Sequence, residues 1–194
     1  MTVSGGIRYD LRKLETDGLQ IGNETKFRAL NRDFSNYSGS IGASYTASKR
    51  VVLKANVARG YRAPNIQELT SHGAHEGTNR FEFGNPNLKS ESSLQLDTGI
   101  EVVTPHLAFG ASAFYNSINN FIYYRKMDNA MGNDSIRTDG NEEFLVFGFD
   151  QNKAKLFGAE VKVDIHPHPL DWLHLKSVFS FVRGILDEAQ DGSN

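Results

Sequence analysis

The chain alternates most regularly in the stretch Phe157-Gly158-Ala159-Glu160-Val161-Lys162-Val163-Asp164-Ile165-His166. Its odd-numbered positions carry apolar side chains, whereas its even-numbered positions carry glycine, charged groups or histidine. Successive side chains of a β-strand point to opposite faces, so a period of two separates the two sets completely. The stretch therefore predicts a strand with one apolar face and one polar face.

Six further segments repeat this alternation. They are residues 3–10, 37–46, 51–58, 94–102, 107–116 and 173–183. A tilted strand needs about 9–11 residues to cross a membrane, and most of these segments reach or approach that length. Aromatic residues make up 11% of the chain and 5 prolines stand against 18 glycines, a composition that suits strands better than helices. The fold class expected from the sequence is all-β, with about seven antiparallel strands.

The links between these segments alternate in length. The short links are residues 47–50, 104–106 and 167–172, and the long links are residues 11–36, 61–89 and 127–153. A meander with short turns at one end and long loops at the other is typical of outer-membrane barrels, whose turns are periplasmic and whose loops are extracellular. The sequence therefore predicts an up-and-down meander, and the charged side chains on its polar face are expected to pair across strands.

Length, charge and cysteine content narrow the functional classes. The 194 residues carry a formal net charge of −2, so no overall field directs the chain to nucleic acid. There is no cysteine, which excludes disulfides and thiolate metal sites within the chain. Mean hydropathy is −0.45, which is compatible with a barrel because half of each strand faces water. No run of about 18 apolar residues is present, so a transmembrane helix is not expected.

Two other classes fit parts of the pattern. A soluble β-sandwich also alternates, and it would bury in a closed core the residues Phe157, Val161, Val163, Leu175 and Phe179. A zinc hydrolase built around His72 and His75 would need a third ligand and a general base, and the sequence offers no identifiable set. The chain has no G-x-S-x-G, no H-E-x-x-H and no phosphate-binding glycine loop, so no enzymatic activity is predicted.

Both ends of the sequence are expected to be cut ends of a larger barrel. Residues 2–6 have neither the basic start nor the apolar stretch of a signal peptide, which favours a mature form or an internal piece. Single-chain bacterial barrels have even strand numbers, and an unclosed sheet would leave two unpaired edges in lipid. The polar run at residues 187–194 is typical of the start of another extracellular loop.

Two motifs in the middle of the chain resemble those of a known family. They are Arg59-Gly60-Tyr61-Arg62-Ala63-Pro64-Asn65-Ile66-Gln67-Glu68-Leu69 and Phe81-Glu82-Phe83-Gly84-Asn85-Pro86-Asn87-Leu88-Lys89-Ser90-Glu91. With residues 114–116, 120–122 and 157–160, they resemble the strand-to-loop signatures of TonB-dependent outer-membrane receptors, in the family's order over about residues 35–185. The resemblance implies a 22-stranded transmembrane β-barrel in the outer membrane of a Gram-negative bacterium. It also implies an N-terminal plug and a TonB box, neither of which is found in this sequence.

On this resemblance, residues 1–194 are one partial receptor barrel that lacks the plug domain and the C-terminal strands. The implied function is capture of a scarce nutrient in extracellular loops and import through the barrel with TonB-derived energy. The implied partners are outer-membrane lipid, the TonB–ExbB–ExbD complex through the missing plug, and a metal ion or metal chelate. No bound cofactor and no nucleic acid are expected.

A narrower resemblance concerns residues 71–85, SHGAHEGTNRFEFGN. They are similar to a histidine-containing loop of the zinc-uptake receptors in the same family, which implies a metal ion such as zinc as the substrate. His72, His75 and Glu76 would be the metal ligands, because imidazole and carboxylate suit Zn²⁺ and its neighbours. Two alternatives stay open: the histidines only anchor the loop, or the substrate is a siderophore or haem. The remaining histidines lie by the short links and are expected to be solvated turn residues: His106, His166, His168 and His174.

Overall fold

The computed structural model of the chain describes residues 1–22, 24–27, 29–75, 77–167, 169–170 and 172–187. Its elements in chain order are β1 (Thr2–Thr16), β2 (Leu19–Ile21), β3 (Glu24–Phe27), β4 (Leu30–Ser48), β5 (Val51–Arg62), α1 (Ile66–Thr70), β6 (His72–His75), β7 (Arg80–Phe83), β8 (Glu91–Val103), β9 (Leu107–Lys126), β10 (Ile136–Asp139), β11 (Glu142–Ile165) and β12 (Leu175–Leu186). No helix among these residues is long and apolar enough to cross a bilayer.

The long strands form one antiparallel meander. Among the described residues they are β1, β4, β5, β8, β9, β11 and β12, and each is hydrogen-bonded to the next one along the chain. The predicted all-β class and the seven-strand meander are confirmed. Short strands add to the sheet at one end, where β7 pairs with β11 in parallel and makes the sheet mixed.

One face of the sheet exposes large apolar side chains. Ile7 is 84% exposed, Ile41 61% and Phe179 68%, and all three lie at positions that the alternation assigned to the apolar face. In the described part of the chain no second large sheet covers this face. The β-sandwich alternative is therefore wrong, because it required Phe179 and its neighbours to lie in a closed core. The hairpin register explains why the apolar face is continuous: Val161 pairs with Phe179 and Ala159 with Phe181.

The strands run further than the alternation predicted. Much of the expected loop at residues 11–36 is strand, since β1 continues to Thr16 and β4 begins at Leu30. Likewise β11 begins at Glu142, well inside the expected loop at residues 127–153. The extensions of β1 and β4 are mostly polar on both faces, and the period-two signal fades there although the backbone ladder continues. The start of β11 is instead a continuous apolar run at residues 144–149, in which Phe144, Val146 and Phe149 are buried, so no polar face alternates with an apolar one.

The connection between β5 and β8, residues 63–90, folds back onto the sheet and is called the inner loop below. Its Leu69 and Leu88 are 2% and 1% exposed. They join a buried cluster with Phe34, Ile122 and Phe149, which lie on β4, β9 and β11. Phe34 is an even-numbered residue of β4, so it shares the polar face of that strand. The main core of the described chain is thus made by the inner loop packing on the polar side of the sheet.

Candidate functional site

The inner loop begins with a capped helical turn. Strand β5 ends at Arg62, before Pro64, whose ring nitrogen cannot donate to a ladder. The Asn65 side chain accepts a hydrogen bond from the Glu68 backbone N–H at 2.8 Å, and the Glu68 carboxylate accepts one from the Asn65 N–H at 2.9 Å. This capping box satisfies two donors that a helix start leaves unpaired.

Arg62 joins the start and the end of the inner loop. Its guanidinium donates to Glu68 at 2.8 and 2.9 Å and to Glu91, the first residue of β8, at 2.7 and 2.9 Å. Glu91 also accepts a hydrogen bond from the backbone N–H of Ile122 at 2.7 Å. Paired forks of this kind are stronger and more specific than single hydrogen bonds. Arg62 therefore fixes helix α1 against two neighbouring wall strands.

The C-terminal end of the inner loop, near Lys89, is hydrogen-bonded to an irregular segment of β9 and β11. The ladder between these strands shifts register between Asn152 and Ala154, and Asn120 has a φ of 54°. The Gln151 amide group donates to the carbonyl oxygens of Lys89 and Asn120 at 2.7 and 2.8 Å, and its oxygen accepts from the Lys89 N–H at 2.7 Å. The bulge thus turns a wall side chain into a backbone-binding group for the inner loop.

Gly84 allows the two halves of the inner loop to touch. A Cβ placed on it would lie 2.5 Å from the backbone nitrogens of Thr70 and Ser71. The Gly84 N–H donates to the Ser71 carbonyl at 2.7 Å, and the Asn85 N–H donates to the Glu68 carbonyl at 2.8 Å. The Gly-Asn-Pro motif is therefore architectural: it closes the loop against helix α1 where only a glycine leaves room.

The hairpin that contains the predicted metal ligands lies beyond this closure. His72 pairs with Phe83 and His75 with Arg80, as strands β6 and β7 run antiparallel. The His72 ring meets the edges of Phe81 and Phe83 at centroid distances of 5.6 and 4.9 Å. Glu76 lies outside the described residues, and no side-chain geometry describes His75. Metal binding by His72, His75 and Glu76 therefore stays a prediction.

His72 faces a cavity between helix α1 and the β2–β3 hairpin. The cavity measures about 360 Å³ and is lined mainly by apolar groups, which include Phe27, Leu30, Leu69, Phe83 and Pro86. Phe81, directly below the His72 ring, is 1% exposed. Apolar walls with a single imidazole are suited to an organic ligand or to packing rather than to a hydrated ion.

Arginines stack on aromatic rings near this hairpin. The Arg137 guanidinium lies 4.4 Å from the centroid of Phe81 and 5.6 Å from that of Phe83. Arg80, an exposed residue of β7, lies 4.9 Å from the ring centroid of Phe147. Guanidinium groups stacked on rings hold their planes in fixed directions. Arg80, Arg137 and these rings form an arginine–aromatic cluster, which places positive charge where an anionic ligand can contact it.

Charged groups on the polar face of the wall pair with each other, as the sequence predicted. Lys54 lies 2.7 Å from Glu101, and the Asn56 amide donates to Asp97 at 3.1 Å, both across neighbouring strands. Lys162 lies 2.7 Å from Glu160 on the same strand. A shallow cavity of about 290 Å³ lies over these side chains. They form a hydrated polar lining, and nothing in their arrangement requires a bound ligand.

The opposite end of the sheet contains a cluster that sequence reasoning missed. Asp164, His166 and His174 bring a carboxylate and two imidazoles together, with ligand atoms within 4.8 Å of one another. The expectation for these histidines was a solvated turn. The spacing Asp-x-His was visible in the sequence, but His174 joins it only through the register of the β11–β12 hairpin.

The comparisons with known proteins agree with this architecture. Residues 1–194 match the family model described as TonB dependent receptor-like, beta-barrel. A ferric enterobactin receptor from Pseudomonas aeruginosa is 34% identical over 96 residues, which are 45% of this chain and 13% of that protein. The chain therefore spans about an eighth of this relative's length.

Two solved structures have the same fold. The copper transporter OprC superposes with a TM-score of 0.67 at 18% identity, over 94% of this chain and 26% of that chain. The siderophore receptor PirA from Pseudomonas aeruginosa superposes with a TM-score of 0.61 at 24% identity, over 82% of this chain and 30% of that chain. The TM-scores show a common fold. At these low sequence identities the two structures carry no argument about the ligand.

Proposed function

Because the chain belongs to the TonB-dependent receptor β-barrel family, we propose that it forms part of the wall of an outer-membrane receptor that imports a metal chelate. Members of this family are transport receptors rather than enzymes. The main support for this proposal is the difference between the two faces of the sheet. Large apolar side chains such as Ile7 and Phe179 are exposed on one face, and the inner loop packs on the other. Large exposed apolar surfaces mark contacts with lipid or protein, and here lipid would cover the sheet.

Closure of the barrel needs further strands. In the described residues, β1 and β12 each have a hydrogen-bonded neighbour on one side only. Backbone groups at such edges must be paired inside the hydrocarbon region. We therefore place the chain in a 22-stranded barrel of a Gram-negative outer membrane, as a partial barrel of residues 1–194. The plug, the TonB box and the contact with TonB–ExbB–ExbD would belong to the rest of the receptor.

Cysteine labelling tests the wall. Ser40 and Ile41 are neighbours on β4 with opposite faces, and residues 1–194 contribute no cysteine of their own to the labelling. In cells that express the full receptor, Ser40→Cys is expected to react with a water-soluble maleimide and Ile41→Cys is not, because lipid covers position 41. Denatured protein should react at both positions, which is the control. Equal labelling in the membrane would contradict the barrel wall.

A chelate is favoured as the substrate by the arginine–aromatic cluster. Arg80 and Arg137 present guanidinium groups beside Phe81, Phe83 and Phe147. Anionic chelates that contain aromatic rings, such as catecholates, offer negative charge and ring faces together, which this combination binds. A relative that is 34% identical over 96 residues is a ferric enterobactin receptor, which favours the same class of substrate. The second candidate substrate is a free metal ion such as zinc, bound by His72, His75 and Glu76.

Titrations of the full receptor in detergent separate these substrates. We expect ferric enterobactin to quench intrinsic fluorescence, and Arg80→Gln/Arg137→Gln to weaken its binding at least tenfold, since charge-assisted contacts are each worth about 1.5–3 kcal/mol. Arg8→Gln, a change of the same chemistry on β1, is the matched control. Zinc chloride is titrated in parallel into wild type and His72→Ala/His75→Ala. Two results together would favour the free metal ion as the substrate instead of the chelate. The wild type would bind zinc but not ferric enterobactin, and only the His72→Ala/His75→Ala variant would lose zinc binding.

A further inference from the structure

The β11–β12 hairpin brings three potential metal ligands to the short-turn end of the sheet. The last paired residues are Ile165 and Leu175, so His166 and His174 face each other one step further out. Directly opposite residues of an antiparallel pair have Cβ atoms about 4.5–5.5 Å apart, and alternate residues of one strand share a face. His166, His174 and Asp164 therefore converge on the same side of the hairpin.

Their distances are those of a preformed coordination site. Asp164 Oδ1 lies 2.9 Å from His166 Nε2 and 3.7 Å from His174 Nδ1. The two imidazole centroids are 4.2 Å apart with the rings inclined at 58°. Ligands held at about 2.0–2.1 Å from a tetrahedral ion lie roughly 3.3 Å from each other. The two distances to Asp164 Oδ1 bracket that spacing, and all three ligand atoms lie within 4.8 Å of one another, so an ion can enter with small side-chain movements.

Two of these atoms lack a well-aligned hydrogen bond. Asp164 Oδ1 and His166 Nε2 are shielded from solvent, and within the described part of the chain the 2.9 Å contact that they make with each other is not aligned as a hydrogen bond. Buried polar atoms of this kind are costly unless something binds them. The backbone nevertheless fixes the site, because the His166 N–H donates to the His106 carbonyl at 2.9 Å. An ion between the three side chains would satisfy both shielded atoms.

We propose that Asp164, His166 and His174 form a binding site for a borderline divalent transition-metal ion of the Zn²⁺ type. Two imidazoles and one carboxylate are ligands that such ions prefer, and with three protein ligands a fourth position stays open to water. The side chains are 25%, 27% and 49% exposed in that order, so an ion can reach them from the polar side. If the proposed function holds, this is the periplasmic mouth of the barrel, far from the long loops; the metal site itself does not depend on it.

Lys176 opposes the binding of a cation at this site. Its ammonium lies 3.6 Å from Asp164 Oδ2, the carboxylate oxygen turned away from His166. It therefore leaves Oδ1 available but places a positive charge beside the cation. Removing that charge should tighten metal binding several-fold, an effect that a purely structural role of the cluster would not produce.

The test is calorimetric titration of zinc chloride into the full receptor, purified without a polyhistidine tag, freed of metal with EDTA and held in detergent at pH 7.5. Wild type is expected to bind an ion that His174→Asn loses, with affinity at least tenfold weaker or one site fewer, and Lys176→Met is expected to bind more tightly. His106→Asn is the control, because it removes a histidine from the same end of the sheet and keeps the backbone carbonyl. In the His174→Asn variant, zinc binding at any site formed by His72 and His75 is expected to remain unchanged.

Copper supplies a second readout. Cu²⁺ bound to wild-type receptor should show nitrogen hyperfine structure from two imidazoles in electron paramagnetic resonance, and His174→Asn should remove the contribution of one imidazole. The site would be overturned by an identical zinc isotherm in wild type and His174→Asn, or by no zinc binding below about 100 μM, which corresponds to roughly 5.5 kcal/mol. Chelate binding at the long loops is measured separately from zinc binding at Asp164, His166 and His174. A negative result for the metal site therefore leaves the proposed function unaffected, and a negative result for chelate binding leaves the metal site unaffected.

Discussion

Alanine in place of Gly84 is expected to release the inner loop from the sheet and to raise amide exchange there roughly 30- to 100-fold. The added Cβ would meet the backbone nitrogens of Thr70 and Ser71 at 2.5 Å and the Leu69 carbonyl carbon at 2.6 Å. Backbone cannot rotate away as a flexible side chain can, so the close contact between residues 69–71 and 84 must open. Overpacking of this type costs about 1–3 kcal/mol, and the upper part of that range applies.

Hydrogen–deuterium exchange of the full receptor in detergent measures this effect directly. The amides that report it are those of Gly84 and Asn85, which donate to the carbonyls of Ser71 and Glu68. Local opening and exchange are linked through the free energy of opening. Gly73→Ala is the matched control, because a Cβ on Gly73 meets nothing within 4 Å. Equal protection in Gly84→Ala and Gly73→Ala would rule out the close packing of the loop.

Leu69→Ala should have a comparable or larger effect through a different cause. Leu69 is 2% exposed and lies in the cluster with Phe34, Leu88, Ile122 and Phe149. Truncation of a buried leucine to alanine costs about 2–5 kcal/mol, because apolar contacts are lost and a cavity is left. The inner loop would then open at least about 30-fold more often.

The exchange of the Ser71 amide, which donates to the Gln67 carbonyl at 2.9 Å, reports on the helical turn that Leu69 anchors. Ile66→Ala on the same turn is the control, since Ile66 is 47% exposed. We expect the control to change exchange less than threefold, in line with surface substitutions of about 0.5 kcal/mol. Similar exchange in both variants would mean that the core cluster does not hold the loop.

The wall could be predicted from sequence because its signal is local. Residues 157–166 and 107–116 alternate within a single strand, and one buried or lipid-covered face is enough to maintain that pattern. The start of β11 at Glu142 was not predictable in this way. Its residues 144–149 are apolar without alternation, and this part of β11 pairs with β10 and β7, two short strands that the sequence did not predict.

The two metal predictions differ for a related reason. His72 and His75 are close in sequence, and this spacing led to their prediction as metal ligands. In the structure the ring of His72 packs on Phe81 and Phe83. His166 and His174 were assigned to a solvated turn, and Asp164 to the charged polar face of the wall. Their proximity depends on which residue of β12 faces which residue of β11, and the link of residues 167–172 did not fix that register in advance.

The parallel pairing of β7 with β11 also has a consequence for the order of folding. Neighbouring hairpins of the wall can form early, since each closes a short stretch of chain. By contrast, Arg80 to Phe83 pair with Leu145 to Gly148, about 65 residues later in the chain. The entropy of closing so long a segment can be recovered only when β8, β9 and β11 already stand beside one another. We therefore expect the inner loop to become protected last in pulse-labelled refolding, so that the lumen stays unobstructed until the wall around it is built.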